Sequence, residues 1–240
     1  MNNYEEQAYE QIRVWKRKIV KRPKMVQRLT KQAQLKINEK IPNKVHEMMT
    51  SAIKNFVKMT LTGSQLTMRN NQLVDITLEA RDELLADKLS TFRKTAVLEG
   101  AGTGAAGLLV GMADFPLLLS IKMKFLFEAA TIYGFDTNEY EERIFILQVF
   151  QLAFSSAEKR QETLEIIENW EERKGSLLEL YWREFQHEYR DYIDFVKMLQ
   201  LMPGIGAIVG AYANHNLLDQ LGEAAKNCYR MRWLKKSNMV

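Results

Sequence analysis

The stretch Gly100-Ala101-Gly102-Thr103-Gly104-Ala105-Ala106-Gly107-Leu108-Leu109-Val110-Gly111, continued by Met112-Ala113-Asp114-Phe115-Pro116, decides what kind of fold this sequence encodes. Read with the period of a helix, Gly100, Gly104, Gly107 and Gly111 recur at four, three and four residues and form one smooth face. Each glycine in a helix interior costs roughly 1 kcal/mol relative to Ala, a cost that close approach of a neighbouring backbone can offset. Gly102 to Gly107 also fits G-x-G-x-x-G, but a dinucleotide loop needs a preceding strand and a βαβ unit. Here Ser90 to Glu99 is a charged helical run, so nucleotide binding is not expected. A membrane span is disfavoured as well. Between Ala101 and Ile121 the large apolar side chains (Leu108, Leu109, Val110, Phe115, Leu117, Leu118, Leu119, Ile121) contribute about −0.5 kcal/mol each, roughly −4 in all, against about +3 for Asp114 before Pro116 and the glycines are counted. A second cluster after Pro203, with Gly204, Gly206 and Gly210 supported by Ala207 and Ala211, is too short to span. Both segments are expected to be buried helices packed closely, against each other or against neighbours.

Outward from these segments the whole chain keeps a period of three to four, and alternation never persists for the length of a strand. The fold class is therefore all-α, a multi-helix bundle containing the two glycine-rich, closely packed segments. Prolines and glycines place the breaks. Helices are expected near 4–21, 24–40 and 42–60, then 74–98, then from Pro116 to about Tyr133, where Gly134 is the stop. Asp136 to Asn138 offer caps for a helix over about 139–157, with further helices near 159–173 and 177–201 separated by Gly175 and a last one after the second glycine cluster. Asp114 before Phe115-Pro116 is an expected helix N-cap, since its carboxylate can accept from a backbone amide one turn on and Pro in the first turn needs no donor. The alternative is a buried acid of raised pKa at the centre of a small-ligand or catalytic site.

With 46% hydrophobic and 27% charged residues in 240, the chain has the material for a full core, and disorder and fibrous classes are excluded. A mean hydropathy of −0.31 is also far from that of a polytopic membrane protein. The start, Met1-Asn2-Asn3-Tyr4-Glu5-Glu6, lacks the apolar core of a signal peptide, and a single cysteine, Cys228, removes a disulfide scaffold, so a cytoplasmic setting is expected. Cys228 continues the stripe Leu217, Leu221, Ala225 and is expected in the core. His46, His187 and His215 are scattered without HExxH or an i,i+4 pair, so no metal site is expected, and no cofactor either. Glu139, Glu141 and Glu142 precede Arg143 at a helix start, where acids complement the macrodipole. No nucleophile elbow or P-loop is present, and catalytic residues are not identified.

Charge is divided unevenly. Residues 1–60 carry 14 Lys/Arg against 5 Asp/Glu, a net +9, which leaves 20 against 25, a net −5, for the rest. Arg13, Lys16, Arg17, Lys18, Lys21, Arg22, Lys24, Arg28, Lys31 and Lys36 follow one another with no acid between them. Such a run binds anions, and its partner is an anionic membrane, nucleic acid or the acidic half of the chain itself. Apolar stripes on the same helices (Tyr4, Ala8, Ile12, Trp15, Ile19, then Val26, Leu29, Ala33, Ile37) favour a membrane surface or a protein groove over nucleic acid, whose binding arms need no such stripe. The tail Arg230, Arg232, Trp233 and Lys235 repeats the basic and aromatic pattern. The division expected is a basic helical arm over 1–62 and a helical core domain over 63–240, with Trp15 and these cations of the arm and tail on the anionic-surface contact. Oligomeric state is not legible.

Several of these pieces, in order, resemble the EcsC family: Lys40-Ile41-Pro42-Asn43-Lys44-Val45, the glycine block Gly100 to Gly111, Ala113-Asp114-Phe115-Pro116, Tyr133-Gly134-Phe135-Asp136 with Glu141-Glu142-Arg143, and Leu201-Met202-Pro203-Gly204-Ile205-Gly206 with Gly210. They span most of the chain. The resemblance places Gly104, Gly107, Gly111, Asp114, Pro116, Gly206 and Gly210 at motif positions without giving them a chemical role. It implies an accessory protein encoded beside the ATPase and membrane subunits of an ABC transporter and linked to secretion and protein processing, with no enzymatic activity attached. The charged run Glu158-Lys159-Arg160-Gln161-Glu162 departs from the family pattern, which has small residues there.

Overall fold

A reciprocal cap starts the first helix. The Glu5 backbone N–H donates to Asn2 Oδ1 at 2.9 Å while the Asn2 backbone N–H donates to Glu5 Oε2 at 2.8 Å, so two amide groups that lack intrahelical partners are satisfied by each other's side chains. The computed structural model describes residues 2–20, 51, 55, 57–62, 76–103, 115–155, 157–186 and 211–237. Its helices are α1 (Asn3–Val20), α2 (Leu78–Thr103), α3 (Phe115–Ile132), α4 (Tyr140–Phe154), α5 (Ala157–Glu168), α6 (Trp170–Gln186) and α7 (Ala211–Lys236), with residues 57–62 also helical. No strand occurs among the described residues, and the all-α reading stands. The helix expected over 24–40, much of that over 42–60, and Gly104, Gly107, Gly111, Asp114, Gly204, Gly206 and Gly210 lie outside the described residues.

Local chemistry moves several boundaries. Helix α2 begins at Leu78 rather than Val74, because the Thr77 hydroxyl accepts from the Ala80 N–H at 3.2 Å. It then runs on through Gly100 and Gly102 to Thr103, five residues beyond the expected end at 98. The stop at Gly134 is as expected: its φ is +83°, and the Gly134 and Phe135 N–H groups donate back to the Thr131 and Ala130 carbonyls at 3.0 Å each. That pattern closes a helix through a left-handed residue, which glycine adopts without a Cβ penalty. The cap of α4 is Glu139, in extended conformation and without a side-chain bond; the Asp136 carboxylate instead accepts from Asn138, at 2.9 Å from its backbone N–H and 2.8 Å from its side-chain amide. The break expected at Gly175 falls at Asn169, whose side-chain amide donates to the Glu165 carbonyl at 3.0 Å and whose own carbonyl accepts from Arg173 N–H at 2.9 Å. Gly175 sits inside α6 with nothing within 4 Å of where its Cβ would be.

Helix α7 is the spine. It packs on α2, α4, α1 and α3, and its contacts run antiparallel to three of them. Asp82 and Arg93 of α2 meet Arg230 and Asp219; Glu142 and Ala153 of α4 meet Arg232 and Gln220; Tyr4 and Lys18 of α1 meet Arg230 and Glu223. Helix α4 is enclosed on nearly all sides, with Ile144 to Phe154 entirely buried, which is why its sequence is apolar around the whole circumference. Val57 and Leu61 join the same core as Ala8, Ile12 and Trp15, so the described parts of residues 1–62 share one hydrophobic core with the body.

Close helix approach is found at a glycine outside both clusters. A Cβ on Gly222 of α7 would lie 2.5 Å from Leu89 Cδ2 and 3.1 Å from Leu89 Cδ1 on α2, so the two helices are seated across the missing side chain. Gly222→Leu should therefore lower stability by about 1–3 kcal/mol through overpacking, and adding Leu89→Ala should recover part of it. Thermal melts of the two variants against the parent check this; equal melting temperatures for parent and Gly222→Leu would contradict it.

Candidate functional site

Two acids and two arginines meet inside the bundle. Asp82 interrupts the buried side of α2, between Leu78 and Leu85, and Arg230 lies opposite on α7, each 2–3% exposed. Arg230 donates through Nε at 2.8 Å and Nη2 at 2.6 Å to Asp82 Oδ2. Tyr4 of α1 donates to the same oxygen at 2.7 Å, Tyr133 at the end of α3 donates to Asp82 Oδ1, and Arg230 Nη1 reaches Gln11 Oε1 at 2.8 Å. One carboxylate thus collects donors from α1, α7 and the close of α3. Removal from water and the neighbouring Asp82 charge push the Tyr4 phenol up to about 12, and the same two causes hold Tyr133 well above the ordinary tyrosine range. These phenols stay protonated and act as donors.

A second cluster adjoins the first through the stacked rings of Tyr133 and Tyr229, 5.6 Å apart with an 18° interplanar angle. Tyr229 donates to Glu142 Oε1 at 2.8 Å and Arg232 Nη1 to Glu142 Oε2 at 2.5 Å. The Arg232 guanidinium lies 3.9 Å from the Phe135 ring centre and 4.1 Å from that of Phe145, with Trp170 at 5.9 Å, an arrangement in which ring faces attract a cation stripped of water. Burial raises Glu142 above the usual carboxylate range in spite of Arg232 and Tyr229, which pull the other way. Each polar group is matched by its neighbours, as a buried charge requires, and the arrangement is suited to fixing helices. Among the described residues no group of three or more His, Cys, Asp or Glu is placed to hold a metal ion.

The residues singled out from sequence fall into distinct environments. Arg13, Arg17 and Lys18 are exposed on α1. Lys16 is half-buried and pairs with Glu168 at 2.7 Å. Trp15 is only 5% exposed and belongs to the core, so it is not on an anionic-surface contact: the apolar stripe of α1 packs on the protein's own body. Arg230 is likewise removed from the surface set by its pairing with Asp82, and Arg232 by its aromatic setting. Trp233 packs partly buried against the core, and Lys235 is exposed with its ammonium on the Glu168 carbonyl. Lys21, Arg22, Lys24, Arg28, Lys31 and Lys36 lie outside the described residues. Gly100 is in the last turns of α2 and Pro116 is the second residue of α3. Cys228 is fully buried as expected, and burial drives its thiol far up. Arg160, in the charged run Glu158 to Glu162, is buried and donates to the Ser155 carbonyl at 2.8 Å and the Ile19 carbonyl at 3.4 Å.

Sequence reading passed over Asp82, Tyr4 as a donor, Tyr133 and Tyr229. A signal existed for Asp82: an acid at the helical spacing of Leu78, Leu85 and Leu89 has to find a buried partner. Replacing it tests the network. Asp82→Asn leaves the Arg230 charge uncompensated and should cost about 3–5 kcal/mol, whereas Tyr4→Phe should cost about 1 kcal/mol; in chemical denaturation the double change Asp82→Asn with Arg230→Met should be less damaging than Asp82→Asn alone. Lys122 offers a pH test. Burial lowers it to about 8, so between that value and its ordinary 10.5 the unfolded chain holds a proton that the folded chain has released. Stability should therefore rise with pH across this window relative to Lys122→Met, and parallel curves for the two chains would refute it.

The family model described as the EcsC protein family matches residues 6–234. The chain is 47% identical over 223 residues to "Protein EcsC" of Bacillus subtilis (strain 168), covering 93% of each. It is 29% identical over 159 residues to "Uncharacterized protein YdbA" of the same strain, covering 65% of this chain and 58% of that one. No solved structure matches it significantly. Among the described residues no helix is long and apolar enough to cross a membrane.

Proposed function

The chain belongs to the EcsC protein family, and on that footing we propose that it is a non-enzymatic accessory protein lying peripherally on the inner face of the cell membrane, held by anionic lipid and by an ABC transporter linked to secretion and protein processing. The observation that carries this reading is the charge division: +9 in residues 1–60 against −5 in the remainder, with no acid among the cations from Arg13 to Lys36. Basic residues next to an anionic leaflet contribute up to about 1 kcal/mol each, and the attraction fades beyond a Debye length. Binding of this kind is additive, salt-sensitive and tolerant of lipid identity so long as the headgroups are anionic. The transporter is the partner suggested by the genes that accompany the family, and its cytoplasmic loops would lie at the same surface.

The placement of α1 decides how the reading is tested. Deleting the arm would strip Ala8, Ile12 and Trp15 from the core and confuse loss of binding with loss of fold. Substitution is the cleaner change. The intact chain is expected to float with vesicles of equal parts phosphatidylcholine and phosphatidylglycerol at low salt, to be released at high salt, and to ignore pure phosphatidylcholine. Replacing Lys21, Arg22, Lys24, Arg28, Lys31 and Lys36 by Gln should weaken flotation by at least about tenfold while the melting temperature holds. Absence of flotation under every condition would overturn the lipid half of the reading. Failure to copurify with the transporter's membrane subunit would overturn the other half.

A further inference from the structure

The outward side of α1 changes sign along its length. Asn3, Glu6, Gln7 and Glu10 are exposed on its first turns; Arg13, Val14, Arg17 and Lys18 are exposed on its last. Arg13 is held toward Glu10 at 2.7 Å and Lys18 stands 3.5 Å from Glu223, both pairs at least half open to solvent on the basic side or nearly so, and such exposed pairs compete weakly with other anions. Val14, at 63% exposure, is the most exposed large hydrophobic side chain among those described, and it is flanked by these cations. From Gln11 to Asn38 the sequence contains no acid, so the basic half of the helix is followed in sequence by further positive charge.

The opposite side of α1 is fastened at several points. Ala8 and Ile12 are buried to within 2%, Tyr4 and Gln11 are bonded to the Asp82–Arg230 pair, Lys16 is bonded to Glu168, and Arg160 reaches the Ile19 carbonyl near the helix end. Turning the stripe toward lipid would break these bonds and open the core. Presenting the other side breaks none of them.

We propose that α1 remains seated on the body and offers the outward side of its last two turns, Arg13, Val14, Arg17 and Lys18, to an anionic bilayer, with Trp15 facing away from lipid. Cations around one apolar side chain suit the phosphate and upper acyl region of a leaflet. The acids Glu6 and Glu10 tilt the first turns off the surface. This inference rests on the peripheral membrane reading and assigns the face that makes the contact.

The test uses the full chain with Val14→Cys carrying a polarity-sensitive fluorophore; Cys228 is buried, so label is directed to position 14, and a second chain carries the label at Glu6→Cys. On vesicles of equal parts phosphatidylcholine and phosphatidylglycerol, the label at 14 should brighten and shift to the blue while that at 6 stays unchanged. The variant Arg13→Glu, Arg17→Glu, Lys18→Glu should bind at least about tenfold more weakly with its melting temperature kept, and amide exchange through Ala8 to Trp15 should remain slow on the vesicles. Flotation of the parent with a silent label at 14 and an undiminished triple variant would overturn the assignment and leave the membrane reading standing. Fast exchange in α1 on vesicles would overturn the seated orientation. A label that responds to duplex DNA but not to vesicles would overturn the lipid assignment, and a parent that never floats would overturn both readings.

Discussion

The Asp82–Arg230 pair is the constraint on which the arrangement of this bundle depends. Both side chains are withdrawn from water, and a charge in that position is tolerated only while its partner and its remaining hydrogen-bonding sites are satisfied. Satisfying them requires Tyr4 from the first helix, Tyr133 from the close of the third, and Gln11 two turns further along the first. The pair therefore fixes which residues of α1, α2, α3 and α7 stand at the same level. Apolar burial would hold these helices together without it, but sliding by one turn would leave a carboxylate or a guanidinium unmatched in the interior.

Helix α7 carries this logic twice. Arg230 and Arg232 are two residues apart and so point to different sides of the helix, one to Asp82 on α2 and the other to Glu142 on α4. Tyr229 lies between the two, stacked on Tyr133 and bonded to Glu142. The last described helix is thus keyed to elements from the beginning and the middle of the described chain. Where no polar key exists, the absence of a side chain does similar work: at Gly222 the backbone of α7 comes close enough to α2 for Leu89 to occupy the space of a Cβ.

The keys also shape the functional reading. An amphipathic helix with a tryptophan and a basic side can meet a bilayer by either side. In this protein the tryptophan side is already used by the core, and what faces solvent on α1 is acidic in its first turns and basic in its last, with Val14 exposed among the cations. In the proposed reading, electrostatic attraction to a leaflet and integrity of the fold fall to opposite faces of one helix and do not compete.

Periodicity alone determined that the described residues are helical, where most of their helices lie, and that Cys228 is internal, because a spacing of three to four is a property of one helix and needs no knowledge of its neighbours. The stop at Gly134 was legible for the same local reason, and the charge division is simply a count. The order of the motif pieces carried the family. What the sequence left open depended on contacts between distant segments. Trp15 and Arg230 resemble surface anchors until the body that covers them is in place, and Asp82 is an oddity on an apolar stripe until Arg230, 148 positions away, comes to meet it. The break at Asn169 rather than Gly175 turns on side-chain bonding that outweighs a glycine's modest reluctance to be helical. Patterns along one helix show which faces are apolar or charged; only tertiary packing decides which of those faces is consumed by the protein itself, because burial is a relation between segments and not a property of either one.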